Sequence, residues 1–390
     1  MKMKFRLKMK TGIDWFKENS RRILHKRNVV LITGSANVDA SGIPVYRIVK
    51  EAAGKSLKAI WSLQHGFFVD KQDNMILSDS FFWEPLEIEI KSLYGANLLP
   101  DPSWLEGVDA LLIDVFDVGT RVYTFLNHVL MIMKALSGRN IAVIVLDRPN
   151  PLNGTDCEGN VLSNEYASIV GQIPVPMRHS LTAGEYLNYG KIYHHLDLQL
   201  EVVMLRHWKR ETMFEQVWTY PSPNMPTLET AVVYPGAVML EGTNISEGRG
   251  TTRPFEMIGA PFIDNDRLIS ELQHLNDAAL IPIYFKPEFS KFAGEVCRGI
   301  LVVPQRPREF NSFRLYYEII RTIARIHPDR FAWKQPPYEF EYRRLPIDMI
   351  CGSNVIRLAI EKDLAFDELH ERLKPEIWAY KETIEEYLLY

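Results

Sequence analysis

Five short β-branched runs constrain this chain more than any other feature of it. They are NVVLIT (28–33), KAIWSL (58–63), ALLIDVFDV (110–118), IAVIVLD (141–147) and LEVVML (200–205). Their apolar residues come in succession and do not alternate with polar ones, the pattern of a strand covered on both faces. Segments of helical length separate the runs. The clearest is YTFLNHVLMIMKALSG (123–138), with Gly138 in the position of a helix C-cap. This alternation predicts an α/β fold whose first part is a Rossmann-like parallel sheet.

The character changes after about residue 220. TYPSPNMPTLETAVVYPG is rich in proline and turn residues and reads as a junction. PIYFKPEF and GILVVPQ are strand-like, and helical patterns follow in FNSFRLYYEIIRTIARIHP and AFDELHERLKPEIWAYKETIEEYLLY. Strands followed by helices predict a smaller α+β domain. The expected organisation is an N-terminal extension over 1–27, a Rossmann-like domain with the active-site cleft over 28–225, and a C-terminal α+β domain over 226–390.

Composition excludes several functions. With 46% apolar and 24% charged residues, a 390-residue chain can bury a sizeable core. A net charge of -4 with no long basic block argues against nucleic acid as a partner. Apolar runs as short as IAVIVL argue against membrane insertion. The basic start MKMKFRLKMK leads into TGIDWFKENSRR and not into an apolar h-region, so no signal peptide is read and a cytoplasmic location is expected. Cys157, Cys297 and Cys351 are widely spaced and odd in number, which fits a reducing interior and gives no metal pattern. Oligomeric state is not legible.

In an open parallel sheet, ligands bind beyond the C-terminal ends of the strands. Here those ends lead into QHGF, DVFDVGTRVYT and DRPNPLNG, which would gather Gln64, His65, Asp114, Asp117, Arg121, Asp147, Arg148 and Asn150 at one edge. Each also has a structural reading. Asp114 and Asp147 suit caps and turns, Arg121 suits a pair with Asp117, and His65 suits a packed histidine. A second concentration, YPGAVMLEGTNISEGRGTTRPFEMIGAP (234–261), sets Glu241, Asn244, Glu247, Arg249, Arg253 and Glu256 among glycines that allow close approach to a ligand. It lacks the lysine and spacing of a P-loop, and TGSANVDASG lacks the dinucleotide spacing. There is no G-x-S-x-G elbow, and His179, His194, His195 and His207 show no zinc spacing. Carboxylates beside histidine and arginine suit acid–base cleavage of a sugar or anionic substrate.

QHGF, IDVFDVGTRVYT, VLDRPNPLNG, GQIPVPMRHSLTAGEY, PSPNMPTLETAVVYPG, LEGTNISEGRGTTRPFEMIGAP and the terminal YLLY together resemble the NamZ-type exo-β-N-acetylmuramidases. The resemblance runs in order from about residue 28 to the C-terminus. It implies release of N-acetylmuramic acid from the non-reducing ends of peptidoglycan fragments, with no cofactor and no metal. The partner it implies is a peptidoglycan-derived sugar or muropeptide. It implies catalytic roles among Gln64, His65, Asp114, Asp117 and Glu241. It implies substrate contacts from Arg121, Tyr123, Arg148, Asn150, His179, Asn244, Glu247, Arg249 and Arg253; charge alone suits Arg249 or Arg253 to the lactyl carboxylate. The family usually has Glu-His-Gly where this chain has Gln64-His65-Gly66, and that glutamate is the family's leading candidate for the acid. Glutamine hydrogen-bonds but does not donate a proton as a carboxylic acid does. Two readings follow: a glycosidase whose proton comes from Asp70, Asp114, Glu241 or a substrate-assisted route, and a sugar-binding relative that keeps the fold. The loop that follows also departs from the family, carrying Phe81, Phe82 and Trp83.

Overall fold

The protein is described by a computed structural model covering residues 9–213 and 217–390. All five runs form strands. In chain order the first nine strands are β1 (Val29–Ile32), β2 (Leu57–Ser62), β3 (Phe81–Trp83), β4 (Ile88–Ser92), β5 (Ala110–Ile113), β6 (Ala142–Leu146), β7 (Glu158–Val161), β8 (Pro176–Arg178) and β9 (Leu200–Val203). Seven make one sheet in the order β3-β4-β2-β1-β5-β6-β9, parallel throughout except for β3 against β4. The α/β fold expected from the runs therefore forms, and its six parallel strands follow the doubly wound order. The order reverses between β1 and β5, where such sheets open a crevice for ligands.

Alternate residues of one strand serve two cores. Val29 and Leu31 share an apolar cluster with Ile13 and Phe16 of α1 (Gly12–Ile23) and with Val45 and Val49 of α2 (Val45–Ala53). Val30 and Ile32 share the other with Val129 and Met133 of α3 (Thr124–Leu136) and Leu187 of α4 (Ala183–Tyr193). Much of the stretch read as an extension is thus a layer of the sheet. Ile13 and Phe16, three residues apart, put one helical face fully out of solvent. Gly12 makes that approach possible: a Cβ there would lie 2.3 Å from the Asp147 nitrogen.

The C-terminal part holds α5 (Leu228–Ala237), β10 (Met257–Ala260), α6 (Asn265–Leu272), β11 (Ala278–Phe285), β12 (Cys297–Pro304), α7 (Ser312–Ile326), α8 (Pro346–Cys351), α9 (Val355–Glu361) and α10 (Phe366–Glu385). Its strands form an antiparallel sheet, β10-β12-β11. Apolar packing does not stop at the junction: Val30, Val129, Tyr234, Phe255 and Tyr316 belong to one cluster. The last residue returns to the first sheet, where the Tyr390 hydroxyl donates to Asp147 Oδ2 at 2.6 Å and accepts from the Leu205 amide at 2.8 Å.

Candidate active site

The loop after β2 turns sharply, with His65 at φ 70° and Gly66 at φ 75°. A left-handed histidine costs energy that the surrounding structure must offset, and such residues cluster at functional sites. Gln64 is buried there and fully engaged. Its Oε1 accepts from the Thr124 hydroxyl at the start of α3. Its Nε2 donates to Glu339 Oε1 at 2.9 Å and to the Tyr94 hydroxyl at 3.2 Å. That hydroxyl donates in turn to Glu339 Oε2 at 2.7 Å. Glu339 and Phe340 are left-handed as well, at φ 45° and 65°. Burial pushes the Glu339 carboxyl above the usual carboxylate range, against the bonds from Tyr94 and Gln64 that favour its ionised form.

A second carboxylate faces the same space. Glu241 Oε1 accepts from Arg249 Nη2 at 2.7 Å, and Oε2 accepts from Tyr338 at 3.0 Å and Asn74 at 3.1 Å. The other Arg249 nitrogen, Nη1, donates to Asp73 Oδ1 at 2.7 Å. Behind them Lys291 donates to Glu247 Oε2 at 2.8 Å and to the carbonyls of Leu240 and Ile245. Burial alone would raise the Glu247 pKa, but Lys291 and Arg249 hold it below the usual range.

Of these groups Gln64, Thr124, Glu339, Glu241, Arg249, Tyr338 and Asn74 line a cleft of about 420 Å³, mouth included, together with His65, Tyr123, Ser222, Asn224 and Tyr234. It adjoins a second basin of about 490 Å³ that also reaches Lys291 and Lys334. A strap crosses it. The Gln72 carbonyl accepts from Asn224, Asp73 sits on Arg249, Asn74 sits on Glu241, and the Met75 amide donates to Tyr94.

Of the residues singled out in the sequence, Gln64, His65, Tyr123, Glu241 and Arg249 line the cleft and Glu247 lines the basin. His65 donates Nδ1–H to the Lys71 carbonyl at 2.7 Å, and burial pushes its pKa down to about 4. The others are not brought in. Asp114 is fully buried and bonds Arg148 Nε at 2.8 Å and Asn37 at 3.0 Å. Asp117 accepts from the Gly119 amide and faces His179 Nε2 at 3.4 Å. Arg121 does not pair with Asp117; it donates to the carbonyls of Asn160, Val175 and Ile350. Asn150 braces its own turn, bonding the Leu152 amide and the Leu181 carbonyl. Asn244 bonds backbone at Arg330 and Ala332, and Arg253 pairs with Glu256. Asp147 caps α4 through the Gly184 amide and the Thr182 hydroxyl, and burial pushes its pKa up to about 6. Asp70 is half exposed and pairs with Lys71. All are polar residues of loops, and what separates them from the cleft residues is which neighbour they meet across the fold.

One further expectation is corrected. The glycines of the 234–261 block bring the chain close to its own backbone: a Cβ on Gly248 would lie 2.3 Å from the Met257 carbonyl, and one on Gly250 would lie 2.7 Å from Phe289. Phe81 and Trp83 pack with Phe67, Phe68 and Tyr46 outside the cleft, as in the stacked Phe68–Phe81 pair at 5.6 Å. Sequence reasoning missed Tyr94, Asp73, Asn74, Tyr338 and Glu339. The run PPYEFEY contains Tyr338 and Glu339, and its one local signal is a pair of prolines before alternating aromatics and acids. Among the described residues no cluster of histidine, cysteine or carboxylate side chains is arranged to hold a metal ion.

Comparison with known proteins gives a consistent result. The family description "Exo-beta-N-acetylmuramidase NamZ, N-terminal" matches residues 29–229, and its C-terminal counterpart matches 232–390. The chain is 35% identical over 388 residues to the peptidoglycan β-N-acetylmuramidase NamZ of Bacillus subtilis (strain 168), covering 98% of this chain and 92% of that protein. A crystal structure of a DUF1343 family protein from Bacteroides fragilis superposes with a TM-score of 0.86 at 28% identity, covering 99% of this chain and 100% of that one. A second DUF1343 structure from the same organism shares the fold, with a TM-score of 0.78 at 23% identity, covering 98% and 99% of the two chains.

Proposed function

Because the chain belongs to the NamZ family of exo-β-N-acetylmuramidases, we propose that it is an exo-acting glycoside hydrolase that releases N-acetylmuramic acid from the non-reducing ends of peptidoglycan fragments. One observation carries the reading. A guanidinium and two carboxyls, Arg249, Glu241 and Glu339, line one cleft. Cleaving a glycosidic bond requires a proton on the leaving oxygen and negative charge near the carbon that becomes cationic. Glu241, ion-paired with Arg249, supplies a fixed anion. N-acetylmuramic acid differs from its amino-sugar parent by a lactyl carboxylate, and Arg249 Nη1 points at a carboxylate already, that of Asp73. The neutral amides of Asn74 and Asn224 and the hydroxyl of Tyr123 suit sugar hydroxyls.

The test compares a chromogenic β-N-acetylmuramic acid glycoside with its N-acetylglucosamine analogue. Turnover of the first, with at least tenfold preference, is expected; Arg249→Met should lose the preference. The observation favouring a second reading, a binding relative without turnover, is Gln64, which carries no acidic proton. Heat of binding at millimolar sugar without hydrolysis would establish that reading.

Among the described residues no helix is long and apolar enough to cross a membrane. We place the activity in the cytoplasm, on soluble wall fragments, a reading supported by the unpaired thiols of Cys157, Cys297 and Cys351. Cell fractionation tests it.

A further inference from the structure

We propose that Glu339, from the C-terminal part of the chain, is the catalytic acid, and that Gln64 is the residue that positions it. The inference rests on the hydrolase reading above and names the group that reading leaves open. Among the described residues, the carboxyls lining the cleft are Glu241 and Glu339. Glu241 accepts from Arg249, Tyr338 and Asn74, which suits a permanent anion. Glu339 has no cation bonded to it; its partners are an amide and a phenol. Two carboxyls whose surroundings differ in this way divide into acid and anion.

The partners also say which oxygen carries the proton. The Gln64 Nε2 group can only donate, so Glu339 Oε1 must accept, at 2.9 Å. The acid proton is placed on Oε2, because its partner Tyr94 is a hydroxyl that can also accept, which the Gln64 Nε2 group cannot. Tyr94 donates to Oε2 at 2.7 Å and leaves it a second lone-pair direction. Thr124 fixes the amide the right way round by donating to Gln64 Oε1. The backbone of Glu339 is left-handed, a conformation kept only where the surroundings enforce it. A glutamine at 64 thus does for Glu339 what a protonated glutamate would do: it presents a donor to Oε1.

In the step, the bond between the anomeric carbon and the bridging oxygen breaks. Its electron pair goes to that oxygen, which takes the proton from Glu339 Oε2. Water adds to the anomeric carbon, and the proton it releases restores Glu339.

The experiment uses the full chain, wild type and Glu339→Gln, on two N-acetylmuramic acid β-glycosides. In one the leaving group is N-acetylglucosamine, a poor one; in the other it is 2,4-dinitrophenolate, which departs unprotonated. A lost general acid costs ~10²–10⁴ in rate. Glu339→Gln should fall at least ~100-fold on the first substrate and less than ~10-fold on the second, and should lose the alkaline limb of kcat/KM. Equal losses on both substrates, or none, overturn the assignment. Wild type silent on both removes the hydrolase reading and this inference with it, whereas an active wild type with a leaving-group-blind variant removes only the inference. Tyr94→Phe gives an independent check should Glu339→Gln fold poorly. It deletes a bond that favours the carboxylate, so the alkaline limb should move to higher pH. A limb that stays in place overturns the proposal.

Discussion

Arg121→Met decides whether a charged residue of a strand-end loop is a ligand contact or a cross-link. Arg121 is fully buried, and its guanidinium donates to the carbonyls of Asn160 at 3.0 Å, Val175 at 2.9 Å and Ile350 at 3.0 Å. Burial pushes its pKa down from 12.5 to about 10, so holding the cation there costs about 3 kcal/mol. Three hydrogen bonds from a charged donor, at ~1.5–3 kcal/mol each, contribute ~4.5–9 kcal/mol. The difference leaves Arg121 stabilising by ~1–6 kcal/mol, and methionine keeps the volume while removing every donor. The expected loss is therefore about 3 kcal/mol, with three carbonyls each losing a charged donor and that of Val175 keeping the Leu162 amide. Urea unfolding at unchanged slope measures it through the midpoint. Hydrolysis at a temperature where the variant is folded should show an unchanged KM. A stability change below about 1 kcal/mol together with a tenfold rise in KM would refute the cross-link and return Arg121 to the substrate.

Three other outcomes are expected. Asp73 is 42% exposed and pairs with Arg249; since such pairs contribute ~0–1 kcal/mol, Asp73→Asn should tighten free N-acetylmuramic acid up to about fivefold and leave N-acetylglucosamine unchanged, and calorimetry showing equal changes for both would discard the placeholder role. Burial pushes the pKa of His128 down from 6.5 to about 4, so between those values the unfolded chain binds more protons and stability falls as pH falls, by about 3 kcal/mol at most. His128→Gln, which can still donate to the Leu98 carbonyl, should flatten that part of the stability profile, and a slope equal to wild type would count against it. Tyr390→Phe removes the bonds to Asp147 and Leu205 and should cost ~1–3 kcal/mol in unfolding with kcat unchanged; a fall in kcat at full stability would contradict this.

The sheet was legible because burial on both faces writes itself into consecutive residues. Val29, Val30, Leu31 and Ile32 are all apolar because each faces one of two cores. Helix α1 was not read, since its apolar residues are sparse among charged ones and only Ile13, Phe16 and Ile23 mark its inner face. The site was half legible. The turn at Gln64-His65-Gly66 and the Glu241–Arg249 block have local chemistry that a sequence displays. Glu339 does not, because its role is set by Gln64 and Tyr94, which meet it only across the fold. Asp114, Arg148 and Arg121 misled for the opposite reason: charge in a strand-end loop looks the same whether it meets a ligand or a carbonyl.

The contacts that hold Glu339 span 275 residues to Gln64 and 245 to Tyr94. Closing loops of that length comes late in folding, after local helices and neighbouring strands have formed. During synthesis the sheet-forming half emerges first and can organise before the segment bearing Glu339 has left the ribosome. A nascent or truncated chain therefore has its sheet and its glutamine but neither the completed cleft nor a proton to give. Hydrolytic competence arrives with the completed polypeptide, so activity itself serves as a readout of full-length folding.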